Sequence, residues 1–516
     1  MYPEQNCPTP PQPQKPTYTV ADTAYAWLSL LMAFLFCQTA PVAEHPLGAF
    51  LLILGLFITG FVILLVQKRR LSPACILSAV SSVVIGAVPL LTDTLFLIRL
   101  SMAYSLGSYL YFLYAALGNR IEEGFSDYIL IDYMKVLILQ PFSSLNAIFP
   151  ALGNKSAKNF SGVLLKILLG AVIAIIPTVV VLLSLTYDKD FVKLLDKLFS
   201  FDIKDIGRAI RSLIFTLPLG MYGFGLYAAA KGKAMKENLT PEICQRGLQQ
   251  IKVLPQVTGV VAVLPILFLY GVFFVSQWKY YVSGFTGILP EEFSYAVYAR
   301  SGFFELCGVS VINLVLILAL KLLMKRGKNG AGVLLKIVTT AFCLCTLVLI
   351  STAVAKLIMY IDSYGLTQKR IYAMWLMALI AIVFLVIALG QFIRKFKTVA
   401  LCFTVAVVMF AGLAVCNVNA LCAQYNADRY LSGTLETIDV QAMQELGGSA
   451  IPSLVRVATQ MDEEKDPKLK EQVTAALRLE LAHHKEEKTS LFSFSIPSAQ
   501  AKAALEEYAA TLPPEG

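Results

Sequence analysis

Charged residues and histidines are scarce in this 516-residue chain. Only 15% of the residues are charged, and the three histidines, His45, His483 and His484, all lie outside the apolar stretches. Those stretches therefore lack the side chain that most often transfers protons or binds metal. The chain also has no GxSxG, HExxH or P-loop pattern and no dinucleotide-binding fingerprint in strand–turn–helix context. The sequence thus predicts no catalytic residue, no metal site and no cofactor.

The ten cysteines follow no pattern that would bind zinc or form a disulfide framework. No cysteine follows Cys422, and no CxxC pair occurs. A disulfide-stabilised tail and a thiol-based metal or redox site are therefore not expected. Seven cysteines fall within apolar stretches and are predicted to pack as small apolar side chains: Cys37, Cys75, Cys307, Cys343, Cys345, Cys402 and Cys416.

Apolar sequence is what the chain has in excess. Hydrophobic residues make up 57% of it, and they fall in blocks of about twenty, the length that crosses a bilayer as a helix. Most blocks are apolar on every face, as expected of helices that contact lipid and one another. The sequence therefore predicts an all-α fold, a polytopic transmembrane helical bundle with about eleven spans, at residues 22–40, 47–66, 71–91, 94–116, 162–186, 209–230, 255–276, 302–323, 333–357, 371–391 and 398–416.

Basic residues are distributed unevenly among the loops between these spans. With the amino terminus inside, 20 Lys and Arg residues fall in cytoplasmic loops and 9 in the opposite loops. Because basic loops resist translocation, this orientation is favoured, and an odd number of spans then places the carboxyl terminus outside. We expect a multi-pass protein of the cytoplasmic membrane. Its positive charge faces anionic lipid, so membrane lipids are expected partners and nucleic acid is not.

The chain divides by composition into three predicted regions. Residues 1–20 are a Pro-rich, disordered cytoplasmic leader, residues 21–422 the transmembrane bundle, and residues 423–516 an acidic, helical extracytoplasmic domain. From Tyr425 onward the tail has 9 basic and 15 acidic residues. Asp466 and Pro467 supply an N-cap and a first-turn proline for one of its helices. The tail is either a site for an envelope protein partner or a soluble cap without a recognition role.

Two apolar segments differ from the predicted spans. Residues Phe191–Phe199 have the spacing of a short amphipathic helix lying on the outer surface. The segment Phe125–Pro150, interrupted by Pro141, is predicted to be either an interfacial elbow or a re-entrant segment. Prolines inside three spans predict kinks, which either help helices pack or form a transporter-like break: Pro177, Pro218 and Pro265.

Polar residues collect at the outer ends of the later spans, whereas the inner ends have simple basic flanks. Glu305 lies about one turn inside a span, where an unpaired carboxylate is costly. We expect it either to form a structural salt bridge, with Lys356, Arg370 or Arg99, or to line a binding cavity. The cations can instead extend to lipid headgroups. The hypothetical binding residues are Arg300, Glu305, Tyr364, Arg370, Asn417, Asn419, Asn426 and Arg429.

Four strings in this part of the chain carry a family resemblance: FFVSQWKYYVSG, EEFSYAVYARSGFFEL, YIDSYGLTQKRIYAMWLM and NVNALCAQYNADRYLSG. In this order and spacing they resemble the bacterial membrane family called domain of unknown function 4173, together with its relative, domain of unknown function 4153. The resemblance covers the chain from about the fourth span to the tail. It implies a multi-pass topology and no established activity. Ser301 stands where a second basic residue is expected.

Two functional hypotheses of different class follow. In the first, the outer polar cluster binds a polar ligand, a lipid headgroup or a partner protein, and the chain is a binding, scaffold or transport component of the cell envelope. Transport would require a cavity that continues inward past Asn313. In the second, the chain is an intramembrane enzyme acting on a lipid or lipid-linked substrate, with Glu305 as general acid or base. The first hypothesis is the one that the sequence favours.

Overall fold

The computed structural model describes residues 17–38, 45–66, 71–153, 203–231, 239–276, 303–325, 330–393, 396–461, 466–486 and 490–511. These residues form helices and connecting turns and loops, with no strand among them. One isolated β-bridge joins Leu254 to Met324. The prediction of an all-helical chain is therefore confirmed for the described residues. The predicted span at 162–186, the amphipathic helix at 191–199 and Arg300 lie outside them.

In chain order the described helices are α1 Val20–Gln38, α2 Pro46–Val66, α3 Pro73–Gly86, α4 Val88–Leu91, α5 Leu95–Ala116, α6 Ile129–Met134, α7 Gln140–Ser143, α8 Ile148–Leu152, α9 Ile203–Ala230, α10 Pro241–Ile251, α11 Gln256–Ser276, α12 Phe303–Leu323, α13 Gly330–Tyr364, α14 Gln368–Leu389, α15 Thr398–Val415, α16 Val418–Leu431, α17 Val440–Gln444, α18 Ile451–Gln460, α19 Pro467–Glu486 and α20 Ile496–Thr511. Helices α17 to α20 are called the C-terminal helices below.

Seven of the described helices are long and apolar enough to cross a membrane: α1, α5, α11, α12, α13, α14 and α15. Three further predicted spans coincide with shorter apolar stretches, Pro46–Val62, Cys75–Leu91 and Ile214–Ala229. The chain is thus an all-helical membrane-spanning protein, and the count of about eleven spans stays a prediction.

The segment between α5 and α9 is broken rather than straight. Helix α6 continues through a π-helical turn, Lys135–Leu139, into α7. The two halves, Ile129–Ser143 and Leu145–Leu152, then meet at an angle of 54°. A bend of this size is compatible with a broken span or with a re-entrant segment, the second of which is one of the two forms predicted for Phe125–Pro150.

A reciprocal set of serine hydrogen bonds sets the relative direction of α3 and α5. The Ser82 hydroxyl donates to the Ser105 carbonyl at 2.8 Å, and the Ser105 hydroxyl donates to the Ser82 carbonyl at 2.9 Å. Ser78 and Ser108 repeat this exchange at the next turn. Small hydroxyl-bearing residues let helix backbones approach closely inside a membrane. Because the pairs 82–105 and 78–108 run in opposite senses, α3 and α5 are antiparallel.

Glycines place α2 beside this pair. A Cβ on Gly86 would lie 2.8 Å from Cγ2 of Ile53, and one on Gly60 would lie 3.2 Å from the ring of Tyr109. Helix α2 is therefore parallel to α5, so Pro46 lies about 10 Å beyond Ile53 towards α4, at 1.5 Å of rise per residue. One end of the bundle thus carries the start of α2, the whole of α4 and the start of α5.

The C-terminal helices pack on this same end, which we call the capped end. The largest hydrophobic cluster includes Leu97 of α5 and Leu357 of α13 as well as Leu454 and Leu505 of the C-terminal helices. Helix α16 runs from 418 to 431, across the composition boundary at 422/423. The acidic tail and the apolar bundle therefore share one continuous core.

Candidate functional site

Two of the predicted binding residues lie where the chain turns from α15 into α16. Helix α15 ends at Val415, and Asn417 adopts extended backbone angles, so its side chain can cap α16. Its Oδ1 accepts a hydrogen bond from the Ala420 amide at 3.1 Å. Asparagine is favoured at this position because its side chain satisfies one of the free amides of the first helical turn. The cap fixes the direction in which Asn419 points.

Asn419 is 3% exposed and bonds to four residues in three segments of the chain. Its Nδ2 donates to Asp93 Oδ1 at 2.9 Å and to the Leu446 carbonyl at 2.8 Å. Its Oδ1 accepts from Thr94 Oγ1 at 2.9 Å and from Gln368 Nε2 at 2.5 Å. An asparagine side chain has two donor hydrogens and two acceptor lone pairs, so its capacity is fully used.

Asp93 is the residue of this site that the sequence reasoning missed. It lies in the turn between α4 and α5, and its Oδ2 accepts a hydrogen bond from the Ser449 amide at 2.9 Å. Ser449 belongs to the 3₁₀ turn Gly447–Ala450, which leads directly into α18. The carboxylate therefore lies at the start of this helical segment, where backbone amides point outward and negative charge is favoured.

The backbone at Gly447, just before α18, lies close to the Asp93 carboxylate. Gly447 has φ of +70°, and a Cβ there would lie 3.1 Å from Asp93 Oδ2. Asn417 adds a further link, because its Nδ2 donates to Ser449 Oγ at 2.8 Å. Asp93, Asn417, Asn419 and Ser449 therefore join the bundle to its C-terminal helices, and we call these four residues the latch.

Three more predicted residues surround the turn between α13 and α14. Asn426 of α16 accepts from the Leu366 amide at 2.7 Å and donates to the Leu366 carbonyl at 2.8 Å. The neighbouring Gly365 has φ of +75°, and a Cβ there would lie 2.5 Å from Asn426 Oδ1. The Asn426 amide thus replaces a backbone partner for the turn and requires glycine beside it.

Arg370 and Arg429 bind backbone carbonyl groups at the end of α13 and in the turn that follows it. Arg370 donates to the carbonyls of Tyr364 and Gly365, and its guanidinium lies 4.2 Å from the centre of the Tyr360 ring. Arg429 donates to the Ile361 carbonyl at 3.3 Å. Cations are favoured at a helix carboxyl terminus. We call Arg370, Asn426 and Arg429 the turn clamp.

The remaining predicted residues are not part of either group. Tyr364 is 48% exposed, with its ring 5.1 Å from that of Tyr360. Glu305 is exposed and contributes to the electrostatic environment of Lys356 on the neighbouring helix. Within the part of the chain that the structure describes, neither arginine of the turn clamp pairs with Glu305.

The polar side chains of the latch and the turn clamp form hydrogen bonds with one another and with backbone groups. Burial raises the pKa of the Cys422 thiol, on α16 beside the latch, to about 12, so this group stays protonated. Over the described ranges, no group of three His, Cys, Asp or Glu side chains has the geometry to hold a metal ion. The latch and the turn clamp are therefore suited to fixing one polypeptide segment on another.

Cavities and polar contacts deeper in the bundle are separate from this site. One cavity of about 170 Å³ is lined mainly by apolar residues of α1, α2, α5 and α9, and another of about 530 Å³ lies between α13 and α14. Neither is lined by a predicted binding residue. Asn313, where a transport path would pass, is 2% exposed and is bonded to Tyr270 and Thr346.

Comparison with known proteins adds a family and no activity. Residues 79–457 match the family described as "Domain of unknown function (DUF4153)". This is the relative named second in the resemblance above, and the assignment to family 4173 stays a prediction. No curated protein and no solved structure matches the chain.

Proposed function

We propose that this chain, which belongs to the DUF4153 family of domains of unknown function, is a membrane-embedded scaffold. It holds its C-terminal helices on the non-cytoplasmic face of the bacterial cytoplasmic membrane, where they bind a protein of the cell envelope. The proposal includes about eleven spans, an inside amino terminus and an extracytoplasmic C-terminal domain.

This proposal rests on one observation: the polar side chains at the capped end form their hydrogen bonds within the protein. Asn419 reaches three separate segments of the chain, and Asp93 binds the start of the C-terminal helical segment. A buried amide whose four hydrogen bonds are made within the protein has none left for a ligand. These residues therefore serve to fix the C-terminal helices in place.

The fixed attachment of the C-terminal helices favours a scaffold over an enzyme or a transporter. An acid–base enzyme would need Glu305 to face the cations that stabilise a reacting anion. Instead, Arg370 and Arg429 bind backbone carbonyls of α13. A transporter would need an open route past Asn313, and that side chain is buried and hydrogen-bonded. A scaffold, in contrast, needs only that the latch and the turn clamp hold the C-terminal helices rigidly on the bundle.

The orientation rests on the loop charges. Basic loops stay inside, and the favoured orientation places 20 Lys and Arg residues in the inner loops and 9 in the outer loops. The capped end, which carries the turns at 92–94, 365–367 and 416–417, is then the outer one. The C-terminal helices would face the envelope, within reach of extracytoplasmic proteins.

Photo-crosslinking in cells tests whether the C-terminal helices bind another protein. A photoreactive amino acid replaces Leu479, which is 52% exposed on α19, and in a second strain replaces exposed Glu123 in the loop after α5. We expect a discrete protein adduct from position 479 and a different adduct pattern from position 123. The double substitution Asp93→Asn with Asn419→Ala should abolish the adduct at 479, because it breaks the latch while leaving α19 itself unchanged.

The matched control is Gln424→Ala, which removes an exposed amide from the same helix as Asn419. This variant should keep the adduct. The scaffold proposal fails if position 479 yields no protein adduct, or if the adduct persists unchanged in the latch variant while the chain remains in the membrane fraction.

A further inference from the structure

The turn that leads into α20 has an inverted polarity pattern. Four large apolar side chains within six residues are exposed: Leu491 by 77%, Phe492 by 50%, Phe494 by 50% and Ile496 by 41%. The serine between the last two, Ser495, is 8% exposed. A soluble turn normally shows the opposite arrangement, with its polar residues outward. We call these four apolar residues the apolar turn.

Hydrogen bonds made by its serines hold this turn in shape. Ser490 accepts a hydrogen bond from the Phe492 amide at 3.3 Å, and the Ser493 hydroxyl donates back to the Ser490 carbonyl at 2.7 Å. Ser495 accepts from the Ser498 amide and so caps α20. Because the backbone is fixed by these bonds, the outward direction of the apolar side chains is a property of the fold.

The position of the apolar turn is set by contacts on both of its sides. The short 3₁₀ helix Leu491–Ser493 packs against α2, and α20 packs against α4. A Cβ on Gly448 would lie 3.6 Å from Cβ of Ala501 and 4.0 Å from Asp93 Oδ2. The apolar turn therefore lies beside the capped end, at the level where the membrane-crossing helices begin.

The helix on which the apolar turn packs has an exposed apolar surface of its own. Helix α2 exposes Leu51 by 45% and Ile58 by 57%. In a membrane-spanning bundle, exposed apolar faces of this kind contact acyl chains. An apolar turn next to the end of such a helix extends that surface to the interface between hydrocarbon and headgroups.

We propose that the apolar turn inserts into the lipid leaflet at the capped end, so that its binding partner is the bilayer itself. Aromatic and aliphatic side chains on the apolar face of a surface segment bury themselves among headgroups and upper acyl chains in this way. The C-terminal helices are then held at two points, by the latch and by lipid. This inference rests on the geometry of the capped end and does not require a protein partner.

The composition of the turn favours lipid over a protein. The sequence Ser490–Ser495 contains only serine, leucine and phenylalanine, without a charge. The residues that dominate binding energy at protein interfaces are enriched in tryptophan, tyrosine and arginine, and a polar rim surrounds the apolar centre of such an interface. The hydrophobic effect is non-directional, so a turn of this composition suits a fluid apolar phase.

Tryptophan fluorescence of the full chain in vesicles tests the proposal. The variant Phe492→Trp is reconstituted into phosphatidylcholine vesicles whose acyl chains are brominated near the headgroup, and the signal of the unsubstituted protein is subtracted. Leu479→Trp, which places the same reporter on the exposed surface of α19, is the matched control. We expect a blue-shifted emission from position 492 and stronger quenching by bromine there than at position 479.

An aqueous quencher, iodide, distinguishes the remaining outcomes. The proposal is supported if position 492 is shielded from iodide and quenched by bromine. It is overturned if position 492 is quenched by iodide as strongly as position 479, which means exposure to water. It is also overturned if position 492 is shielded from both quenchers, which means that protein covers the turn. Because the vesicles contain no other protein, this result is separate from that of the crosslinking experiment.

Discussion

The side-chain amide of Asn419 links α16 to three other segments of the chain. Its removal should therefore lower the stability of the whole fold as well as that of α16. In Asn419→Ala, the partners Asp93, Thr94 and Gln368 and the Leu446 carbonyl all lose a hydrogen bond. Leaving a buried polar group unpaired costs about 1–3 kcal/mol. We therefore expect the variant to lose about 2–4 kcal/mol of stability, more than one such penalty. Thermal unfolding in detergent measures it.

The control for Asn419→Ala is Gln424→Ala on the same helix, where the amide is exposed. It should change stability by under about 0.5 kcal/mol. Limited proteolysis adds a local readout, since loosening of the latch should expose the segment before α18 to cleavage. Equal stability of the two variants would contradict the role assigned to Asn419.

Gly365 gives a second test at the residue scale. Its φ of +75° is strained for any residue with a side chain, and a Cβ would also lie 2.5 Å from Asn426 Oδ1. Gly433 has φ of +74° with nothing within 4 Å of the added Cβ. Gly433→Ala should therefore cost only the conformational strain, about 1–2 kcal/mol. Gly365→Ala should cost more, because it also displaces Asn426.

Thermal unfolding of both glycine variants and of Asn426→Ala separates the two effects. In a background that already carries Asn426→Ala, Gly365→Ala should cost less than it does alone, because the shorter side chain at position 426 leaves room for the added methyl group. If Gly365→Ala and Gly433→Ala are equally destabilised, the turn does not depend on the Asn426 contact.

Residue types at the capped end were partly predictable. Polar residues collect at the outer ends of the later spans, whereas the inner ends have simple basic flanks, and this contrast makes five residues stand out: Asn417, Asn419, Asn426, Arg370 and Arg429. Their partners are mostly backbone carbonyls and amides, which have no signature in the sequence. Asp93 was missed for a related reason, since a lone acidic residue between two helices is typical of an ordinary helix cap.

At the scale of helices, the serine pairs between α3 and α5 predict that stability depends on the size of the side chain at position 105. Ser105 is fully buried, and its Oγ lies 3.4 Å from where a Cβ on Gly86 would be. Hydrogen bonds between membrane helices contribute about 0.6 kcal/mol on average, so Ser105→Ala should be mild. Ser105→Leu should be severe, by about 1–3 kcal/mol or more, because no space exists for the added carbons.

Unfolding in detergent compares these variants with Val80→Leu, a change that adds volume at a position 55% exposed on α3. The control should remain near the wild-type stability, since its side chain faces away from α5. Tolerance of Ser105→Leu would mean that α3 and α5 are farther apart than their hydrogen bonds indicate.

The loop after α5 predicts a pH dependence at the opposite end of the bundle. Lys397 donates to both carboxylate oxygens of Glu122 at 3.0 Å and holds the pKa of Glu122 below its usual range. A carboxylate with a lowered pKa adds stability above its unfolded pKa, and this is lost as the pH falls through the folded value. Both side chains are more than a third exposed, so the effect should be under about 1 kcal/mol.

Stability measured against pH for the wild type, Glu122→Gln and Glu123→Gln tests this. Glu122→Gln should be less stable than the wild type at neutral pH. The difference should begin to shrink near about pH 4, where the unfolded carboxyl group starts to bind a proton, and should disappear once the pH has fallen through the lower pKa of folded Glu122. The neighbouring Glu123 is exposed, and its substitution should leave the curve unchanged. A difference that persists in acid would show that shape, and not charge, matters at position 122.

Helix pairing in this fold was less predictable than helix position. Apolar blocks predict spans because the bilayer requires about twenty apolar residues per helix. Which helices touch depends on small features of one face, such as Gly86 against Ile53 or Ser82 against Ser105. Those faces cannot be matched to one another from a single sequence, because several spans contain glycine and serine.

For the whole molecule, the convergence of the tail and the late helices on one end depends on contacts far apart in the chain. Asp93 and Ser449 are separated by 356 positions, and Asn419 reaches back to Thr94. Composition predicted that polar groups would collect at that end, and loop charge predicted which side of the membrane it faces. The way in which the C-terminal helices are attached followed only from the coordinates.

The last prediction concerns the side of the membrane on which the capped end lies. An epitope tag placed after Thr511 reports the C-terminal helices, and the same tag inserted after Phe392, which is 68% exposed in the turn between α14 and α15, reports the opposite end. Because basic residues resist translocation, the tag at 392, close to Arg394, Lys395 and Lys397, should stay inside. In intact spheroplasts we expect antibody to reach only the tag after Thr511, and to reach both tags after permeabilisation. The reversed pattern would place the latch, the apolar turn and the acidic tail in the cytoplasm, where no envelope protein outside the membrane could bind them.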